Sequence, residues 1–153
     1  MLEGTSPILG EHGDSEVPVW SLANIAGMSL SRFCAEHSCE FNEADMERIF
    51  SQTRDAAYEI IQRKEATYYA VAAGLMRIVE AVLRDQKTVL SVSSLIEDYH
   101  GIRDVCLSLP TVVDRSGVAR VLRLDLTSEE VEGLRRSAGV LQATIAQLNL
   151  DGA

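Results

Sequence analysis

A glycine-rich stretch near the N-terminus carries the densest set of side chains that could do chemistry. Residues 8–15 read ILGEHGDS, in which His12 stands between two glycines and beside three polar side chains. Glycine permits positive φ and close backbone approach, so a substrate could reach the imidazole. The unperturbed pKa of histidine, about 6.5, suits proton transfer near neutral pH. The motif therefore predicts a candidate general acid or base, although a histidine in such a turn is most often simply exposed to solvent.

The cysteines offer a second kind of chemistry. Cys34, His37 and Cys39 lie within six residues and could present three soft ligands to zinc. A structural zinc site needs four ligands, and no second pair follows at the spacing of a zinc finger. Free cysteine is commonly a small buried hydrophobic residue, so we predict no metal site. Because the cysteine count is odd and no export signal is present, we expect reduced thiols and no disulfide framework.

Composition limits the classes of function. The chain has 153 residues, 46% of them hydrophobic and 24% charged, which is typical of one soluble domain with a core. Its net charge of −9 opposes the phosphate neutralisation on which nucleic-acid binding depends. The longest uncharged apolar stretch, residues 68–76, is far shorter than the roughly 20 residues of a membrane helix. We therefore expect a cytoplasmic protein with neither nucleic acid nor membrane as a partner.

Three segments have the pattern of helices. Asn42 is a candidate N-cap for a helix with its apolar residues on one stripe, and this helix should end near Lys64. Thr67 looks like the N-cap of a second apolar run, so these two helices should meet at a kink. Thr127 and Glu130 have the form of a capping box, ahead of a final helix that should pack along one stripe.

Other segments have the pattern of strands. Residues 16–30 predict one strand and a turn, and the sequence DRSG at residues 114–117 is typical of a hairpin loop. Further strands are predicted at residues 88–95, at residues 104–113, and around the alternating Leu122, Leu124 and Leu126. Because strands and helices are segregated along the chain, the predicted class is α+β, with antiparallel strands packed against long helices.

Several longer motifs resemble one enzyme family. The segment GEHGDSEVPVWS is followed about forty residues later by TRDAAYEIIQRKEATYYAVA, and then by SLIEDYHGIRDVCLSLP and LTSEEVEGLRRSAGVL. This series resembles the L-lactate and malate dehydrogenases over about residues 8–148, and it is most similar to the bacterial L-lactate dehydrogenases. The resemblance implies an NAD-dependent oxidoreductase, of which this chain is the C-terminal, substrate-binding half.

The same resemblance implies roles for three side chains. In the family, the histidine of the GEHGDS motif, here His12, exchanges a proton with the 2-oxo or 2-hydroxy oxygen of the substrate while hydride passes to or from nicotinamide. Thr67 would line the substrate pocket, as in lactate-selective members. Val71 would lie against the nicotinamide ring and exclude water. From the residues alone, Thr67 is simply a helix N-cap and Val71 a core contact.

The chain also departs from the family pattern. No G-x-G occurs in it, so the loop that seats a dinucleotide diphosphate is missing, together with the Rossmann βαβ unit around that loop. The aspartate that orients the family's histidine and both substrate-binding arginines also fall outside the matching part, and Asp14 cannot be assumed to replace that aspartate. We therefore expect residues 8–150 to be a dehydrogenase substrate-binding domain that is inactive without its nucleotide-binding half. Residues 1–7 do not match and look like an added segment or a new start.

Three functions remain open on the sequence. The first is the substrate-binding half of an NAD-dependent L-lactate dehydrogenase acting on pyruvate and L-lactate, which Thr67 favours. The second is part of a malate or other 2-hydroxyacid dehydrogenase. The third is a non-catalytic module that forms a homo-oligomer or pairs with a nucleotide-binding half, and the apolar stripe of the last helix suits it.

Overall fold

The computed structural model describes residues 4–39 and 41–148. In chain order its elements are β1 (Gly4–Thr5), β2 (Ile8–Leu9), β3 (Val17–Pro18), a 3₁₀ helix (Trp20–Leu22), β4 (Asn24–Ile25), β5 (Met28–Ser29), α1 (Leu30–His37), α2 (Glu43–Lys64), α3 (Tyr69–Leu83), β6 (Thr88–Ile96), β7 (Val105–Asp114), β8 (Gly117–Val121) and α4 (Ser128–Gln147). The strand pairs in these residues are antiparallel, as predicted for an α+β domain. No helix in the described part of the chain is long and apolar enough to cross a membrane.

The central sheet consists of β6, β7 and β8, with β7 in the middle. The predicted DRSG hairpin joins β7 to β8, with Asp114 opposite Gly117. The Asp114 carboxylate accepts a hydrogen bond from the backbone N–H of Ser116 at 2.8 Å, which is a common way for aspartate to stabilise a turn. Along β7, Leu107 is fully buried and its neighbour Cys106 is exposed. The face that carries Leu107 therefore lies on the core, and the opposite face is exposed at Cys106 but buried at Pro110.

The core lies between this sheet and helix α4. The predicted capping box is confirmed: the Thr127 hydroxyl accepts from the N–H of Glu130, and the Glu130 carboxylate accepts from the N–H of Thr127. This cap starts α4 so that Leu134, in its second turn, points into the core with no exposed surface. The buried core residues are Leu9, Val19, Ile96, Tyr99, Ile102, Val105, Leu107, Leu109, Leu134 and Ala138.

Helix α2 has the ends that the sequence predicts. The Asn42 side chain accepts a hydrogen bond from the N–H of Asp45 at 3.0 Å, and the helix runs to Lys64. In the described chain, however, α2 has no buried residue, and α3 has one, Ala81. Large apolar side chains therefore remain exposed along both helices, among them Ile49, Ile60, Ile61, Tyr69, Val71, Leu75, Met76, Val79 and Leu83.

Two predictions near the helices are wrong. Thr67 is not the N-cap of α3: the helix begins at Tyr69, and Tyr68 occupies the N-cap position without a capping hydrogen bond from its side chain. Residues 16–30 do not form one strand and a turn. They form three two-residue strands and a 3₁₀ helix, because Pro18 lacks the N–H that a longer ladder needs, and the hairpin formed by β4 and β5 reverses the chain.

The predicted strand at residues 122–126 is also wrong. The third strand of the sheet is β8, and after it the backbone N–H of Leu122 donates to the carbonyl of Pro110 at 2.8 Å before the chain leaves the sheet toward α4. The alternating leucines nevertheless report burial, since Leu124 and Leu126 pack against the core. A period of two here reflects an extended segment lying on the core rather than a paired strand.

The expectation of reduced thiols is corrected by the structure for two of the three cysteines. Cys34 and Cys39 form a disulfide, whereas Cys106 is free and exposed. The sequence did not predict helix α1, and it is the end of this helix that brings the pair together. Ser38 takes the left-handed conformation there, and the chain folds back so that the two Cα atoms are 4.6 Å apart.

Candidate functional site

The segment of residues 10–15, named the His12 loop below, is anchored on the central strand of the sheet. The N–H of Gly10 donates to the carbonyl of Ser108 at 3.0 Å, and the N–H of Ser108 donates to the carbonyl of Gly10 at 2.8 Å. Gly10 has φ +102°, a conformation that residues with a Cβ rarely adopt. The glycine thus turns the chain sharply away from β7 and into the loop that carries His12.

A buried serine from helix α4 holds the loop from the other side. The Ser137 hydroxyl accepts a hydrogen bond from the N–H of Glu11 at 2.8 Å and lies 3.2 Å from the Ser15 hydroxyl. The Glu11 carboxylate in turn accepts from both the backbone N–H and the hydroxyl of Ser15. A Cβ at Gly10 would come within 2.5 Å of the Ser137 oxygen, so the loop and α4 are in close contact. Both ends of the loop are therefore fixed to one point on the core.

His12 is exposed on this loop. The two carboxylates of the loop have partners of their own: Glu11 binds Ser15, and Asp14 accepts a hydrogen bond from the Tyr58 hydroxyl at 2.8 Å. His12 is thus held in place by its backbone and is open to a proton donor or acceptor that arrives from outside. This arrangement suits general acid–base chemistry on a bound oxygen.

A half-buried carboxylate follows the loop. Burial raises the pKa of Glu16, and the positive charges of His12 and Arg54 partly oppose this rise. Arg54 lies in α2, where its hydrogen bond to Asp55 raises the pKa of the guanidinium. These residues and Tyr58 share the environment of the histidine, and sequence reasoning did not single them out. For Arg54 and Tyr58, the signal was their place as polar residues within the apolar stripe of α2, whereas Glu16 lies outside the helices.

The other two predicted site residues lie beyond the C-terminal end of α2. Thr67 is half-buried in the connection between α2 and α3, and Val71 is 54% exposed in the first turn of α3. The hydrogen bond from Tyr58 to Asp14 joins α2 to the His12 loop six residues before Lys64, which is about 9 Å along the helix axis. The hydrogen bond thus links α2, the helix that leads to Thr67, to the His12 loop. Among the described residues, no hydrogen bond joins the Thr67 side chain to the His12 side chain.

Two of the three candidate zinc ligands, Cys34 and Cys39, are the cysteines that form the disulfide. Within residues 4–39 and 41–148, no three histidine, cysteine, aspartate or glutamate side chains are grouped so that they could hold a metal ion. The His37 ring instead stacks on Phe33, with 4.3 Å between ring centroids, and its Nδ1 lies 3.0 Å from the Phe33 carbonyl oxygen.

Comparison with known proteins identifies the class to which this fold and loop belong. The sequence profile of the lactate/malate dehydrogenase α/β C-terminal domain matches residues 3–149, so the chain belongs to this family. The L-lactate dehydrogenase of Acetivibrio thermocellus is 47% identical over 144 residues, which are 94% of this chain and 45% of that protein. The L-lactate dehydrogenase of Priestia megaterium is 47% identical over 137 residues, covering 90% of this chain and 43% of the relative.

A solved structure supports the same assignment. The minor L-lactate dehydrogenase from Enterococcus mundtii, in a ligands-bound form, matches this fold with a TM-score of 0.89 at 35% identity. The match covers 96% of this chain and 46% of that one. The predicted family and fold class are confirmed, and the chain spans a little under half the length of the relatives that it matches.

Proposed function

We propose that this chain is the substrate-binding half of an NAD-dependent L-lactate dehydrogenase that interconverts pyruvate and L-lactate. The observation that carries the proposal is the His12 loop: an exposed imidazole on a backbone fixed by Gly10 and Ser137, in a domain of the lactate/malate dehydrogenase family. A fixed backbone keeps the imidazole close to where a substrate oxygen would exchange a proton with it.

The chemistry assigned to His12 is proton transfer. In reduction, the protonated imidazole donates its proton to the carbonyl oxygen of pyruvate as that oxygen gains negative charge, and in oxidation the neutral ring takes the proton of the L-lactate hydroxyl. Thr67 lines the pocket around the substrate. The half-buried Glu16 lies near enough for the positive charge of His12 to lower its pKa, against the larger effect of burial.

This chain has a residue suited to the nicotinamide ring of NAD but no loop suited to its diphosphate. Val71 presents an exposed apolar side chain at the start of α3, which suits packing against a flat ring and excluding water from it. No G-x-G turn is present to hold a diphosphate at a helix N-terminus. NAD, when bound, supplies or takes up the hydride. We therefore propose that residues 8–150 need a nucleotide-binding half for turnover. We also propose that the complete enzyme is a cytoplasmic homo-oligomer.

A second candidate is a non-catalytic interaction module. The observation that favours it is the set of exposed apolar side chains on α2 and α3, such as Leu75 and Met76. Exposed apolar patches above a few hundred Å² mark interaction sites in soluble proteins. On this proposal, the two helices pair with another copy of the chain or with a nucleotide-binding half, and His12 has no chemical role.

The test is reconstitution with the nucleotide-binding half of the Acetivibrio thermocellus enzyme, produced separately. We expect the chain alone to show no NADH binding in a fluorescence titration, because it lacks the phosphate loop. The mixture, named the reconstituted enzyme below, should oxidise NADH with pyruvate and much more slowly with oxaloacetate.

Each other outcome contradicts a stated part of the proposal. Micromolar NADH binding by the chain alone would contradict the need for a second half. Faster turnover with oxaloacetate would favour a malate dehydrogenase. A stable complex, seen by sedimentation, with no turnover of either substrate would leave the interaction module as the function.

A further inference from the structure

The disulfide between Cys34 and Cys39 lies at the end of a helix, where the backbone already holds the two cysteines together. The N–H of Cys39 donates to the carbonyl of Cys34 at 3.2 Å, and the N–H of Ser38 donates to the same carbonyl. With Ser38 in the left-handed region, this turn sets the Cα separation of 4.6 Å. Because these contacts are made by the backbone, the two sulfur atoms remain neighbours whether or not they are bonded to each other.

The position of the pair favours a reversible bond over a structural one. The bond closes a loop of only a few residues, so it removes much less entropy from the unfolded chain than a long-range disulfide does. Cys39 is exposed and Cys34 is half-buried. Exposed disulfides are generally the labile ones, because a thiolate can reach the sulfur in the folded state. The thiols, once formed, stay close enough to be oxidised again.

The half-buried side of the pair adjoins the start of helix α2. Cys34 lines a cavity of about 240 Å³ together with Trp20, Phe41 and Met46. Phe41 packs edge-on against Trp20, with 5.8 Å between ring centroids, one residue before the N-cap of α2. Cys34 therefore borders the same cavity as the Trp20–Phe41 contact, which lies next to the Asn42 cap of α2.

We propose that Cys34 and Cys39 form a reversible redox site, reduced by a dithiol, that controls the packing of Phe41 on Trp20 at the start of α2. A thiolate of the reductant attacks Sγ of the exposed Cys39, the bond between the two protein sulfurs breaks, and Cys34 leaves as a thiolate that takes a proton. The second thiol of the reductant then breaks the mixed disulfide. Two electrons and two protons have passed to the protein, and the reductant has become a disulfide.

Thiol labelling in a Cys106→Ser background tests the exchange. In this background both remaining cysteines belong to the pair. We expect no alkylated thiol per chain after oxidation by oxidised glutathione and two after treatment with dithiothreitol without denaturant, as counted by mass spectrometry. Two reactive thiols after the oxidation, or a bond that dithiothreitol reduces only in denaturant, would overturn the proposal.

Tryptophan emission tests the effect on packing, since Trp20 is the single tryptophan of the chain. The readout is the wavelength of maximum emission, because a disulfide quenches a neighbouring indole directly and intensity would change even with the packing intact. Reduction should shift this wavelength and re-oxidation should restore it, since moving Phe41 changes the surroundings of the indole. The matched control is the Cys34→Ser/Cys39→Ser double variant, in which dithiothreitol should leave the wavelength unchanged while circular dichroism shows a folded protein. An unchanged wavelength in the Cys106→Ser protein, or an equal shift in the double variant, would contradict control of this contact by the pair.

Discussion

Replacing His12 by asparagine should lower pyruvate turnover by the reconstituted enzyme by about 10²–10⁴-fold, the usual contribution of a positioned acid or base. Asparagine can still donate a hydrogen bond, but it cannot transfer a proton to the substrate oxygen. The fold should not be affected, since the side chain is exposed and the loop is held by the backbone of Gly10 and by Ser137. The measurement is kcat for NADH oxidation at saturating pyruvate.

The matched control is His37→Asn. His37 is also exposed, but it lies at the end of α1 and its contacts are with Phe33. We expect its replacement to leave kcat unchanged. If His12→Asn also kept the full rate, His12 would not be the proton donor. If both variants lost the rate together, the loss would reflect assembly of the two halves rather than proton transfer.

The second large effect is expected at Gly10, where alanine should destabilise the fold by about 2–4 kcal/mol. An added Cβ would meet the Ser137 oxygen at 2.5 Å, and φ +102° is unfavourable for any residue with a side chain. The chain cannot shift to relieve the clash, because Gly10 is bonded to Ser108 on its other side. In thermal unfolding followed by circular dichroism, Tm should fall by about 5–15 °C.

Gly74→Ala is the control for this prediction. Gly74 lies within helix α3, and a Cβ there would meet nothing within 4 Å. Alanine is a better helix former than glycine, so this change should stabilise the protein by about 0.5–1 kcal/mol. Opposite signs for the two substitutions are the expected result. A Tm for Gly10→Ala equal to that of the unchanged protein would show that the loop is not fixed as described.

The sequence predicts those features of the fold that depend on neighbours along the chain. The caps at Asn42 and Thr127 are correct because an N-cap side chain bonds a backbone N–H two or three residues later, within the reach of a local pattern. The DRSG hairpin is correct for the same reason. The Thr67 cap is wrong because the left-handed Glu65 and the residues after it place the N-cap of α3 one residue further on, at Tyr68.

Features that depend on distant parts of the chain were not predictable. The His12 loop is recognisable from its glycines, but its support comes from Ser137, 126 residues after Glu11. A serine on the apolar stripe of α4, next to Ala138, was the available signal, because a polar side chain on a buried face usually has a partner. The partner itself follows only from the tertiary structure.

The bond between Tyr58 and Asp14 makes the attachment of α2 to the His12 loop sensitive to alkali. The Asp14 carboxylate accepts a hydrogen bond from the neutral phenol, and this raises the pKa of Tyr58. A group with a raised folded-state pKa contributes stability that is complete below its unfolded pKa, about 10 for tyrosine, and that is lost as pH rises through the folded value. Above that pH the tyrosinate and Asp14 repel each other. In thermal unfolding followed by circular dichroism, Tm should then fall more steeply with pH than in a Tyr58→Phe variant, because the helix that carries the chain toward Thr67 is held less tightly to the His12 loop.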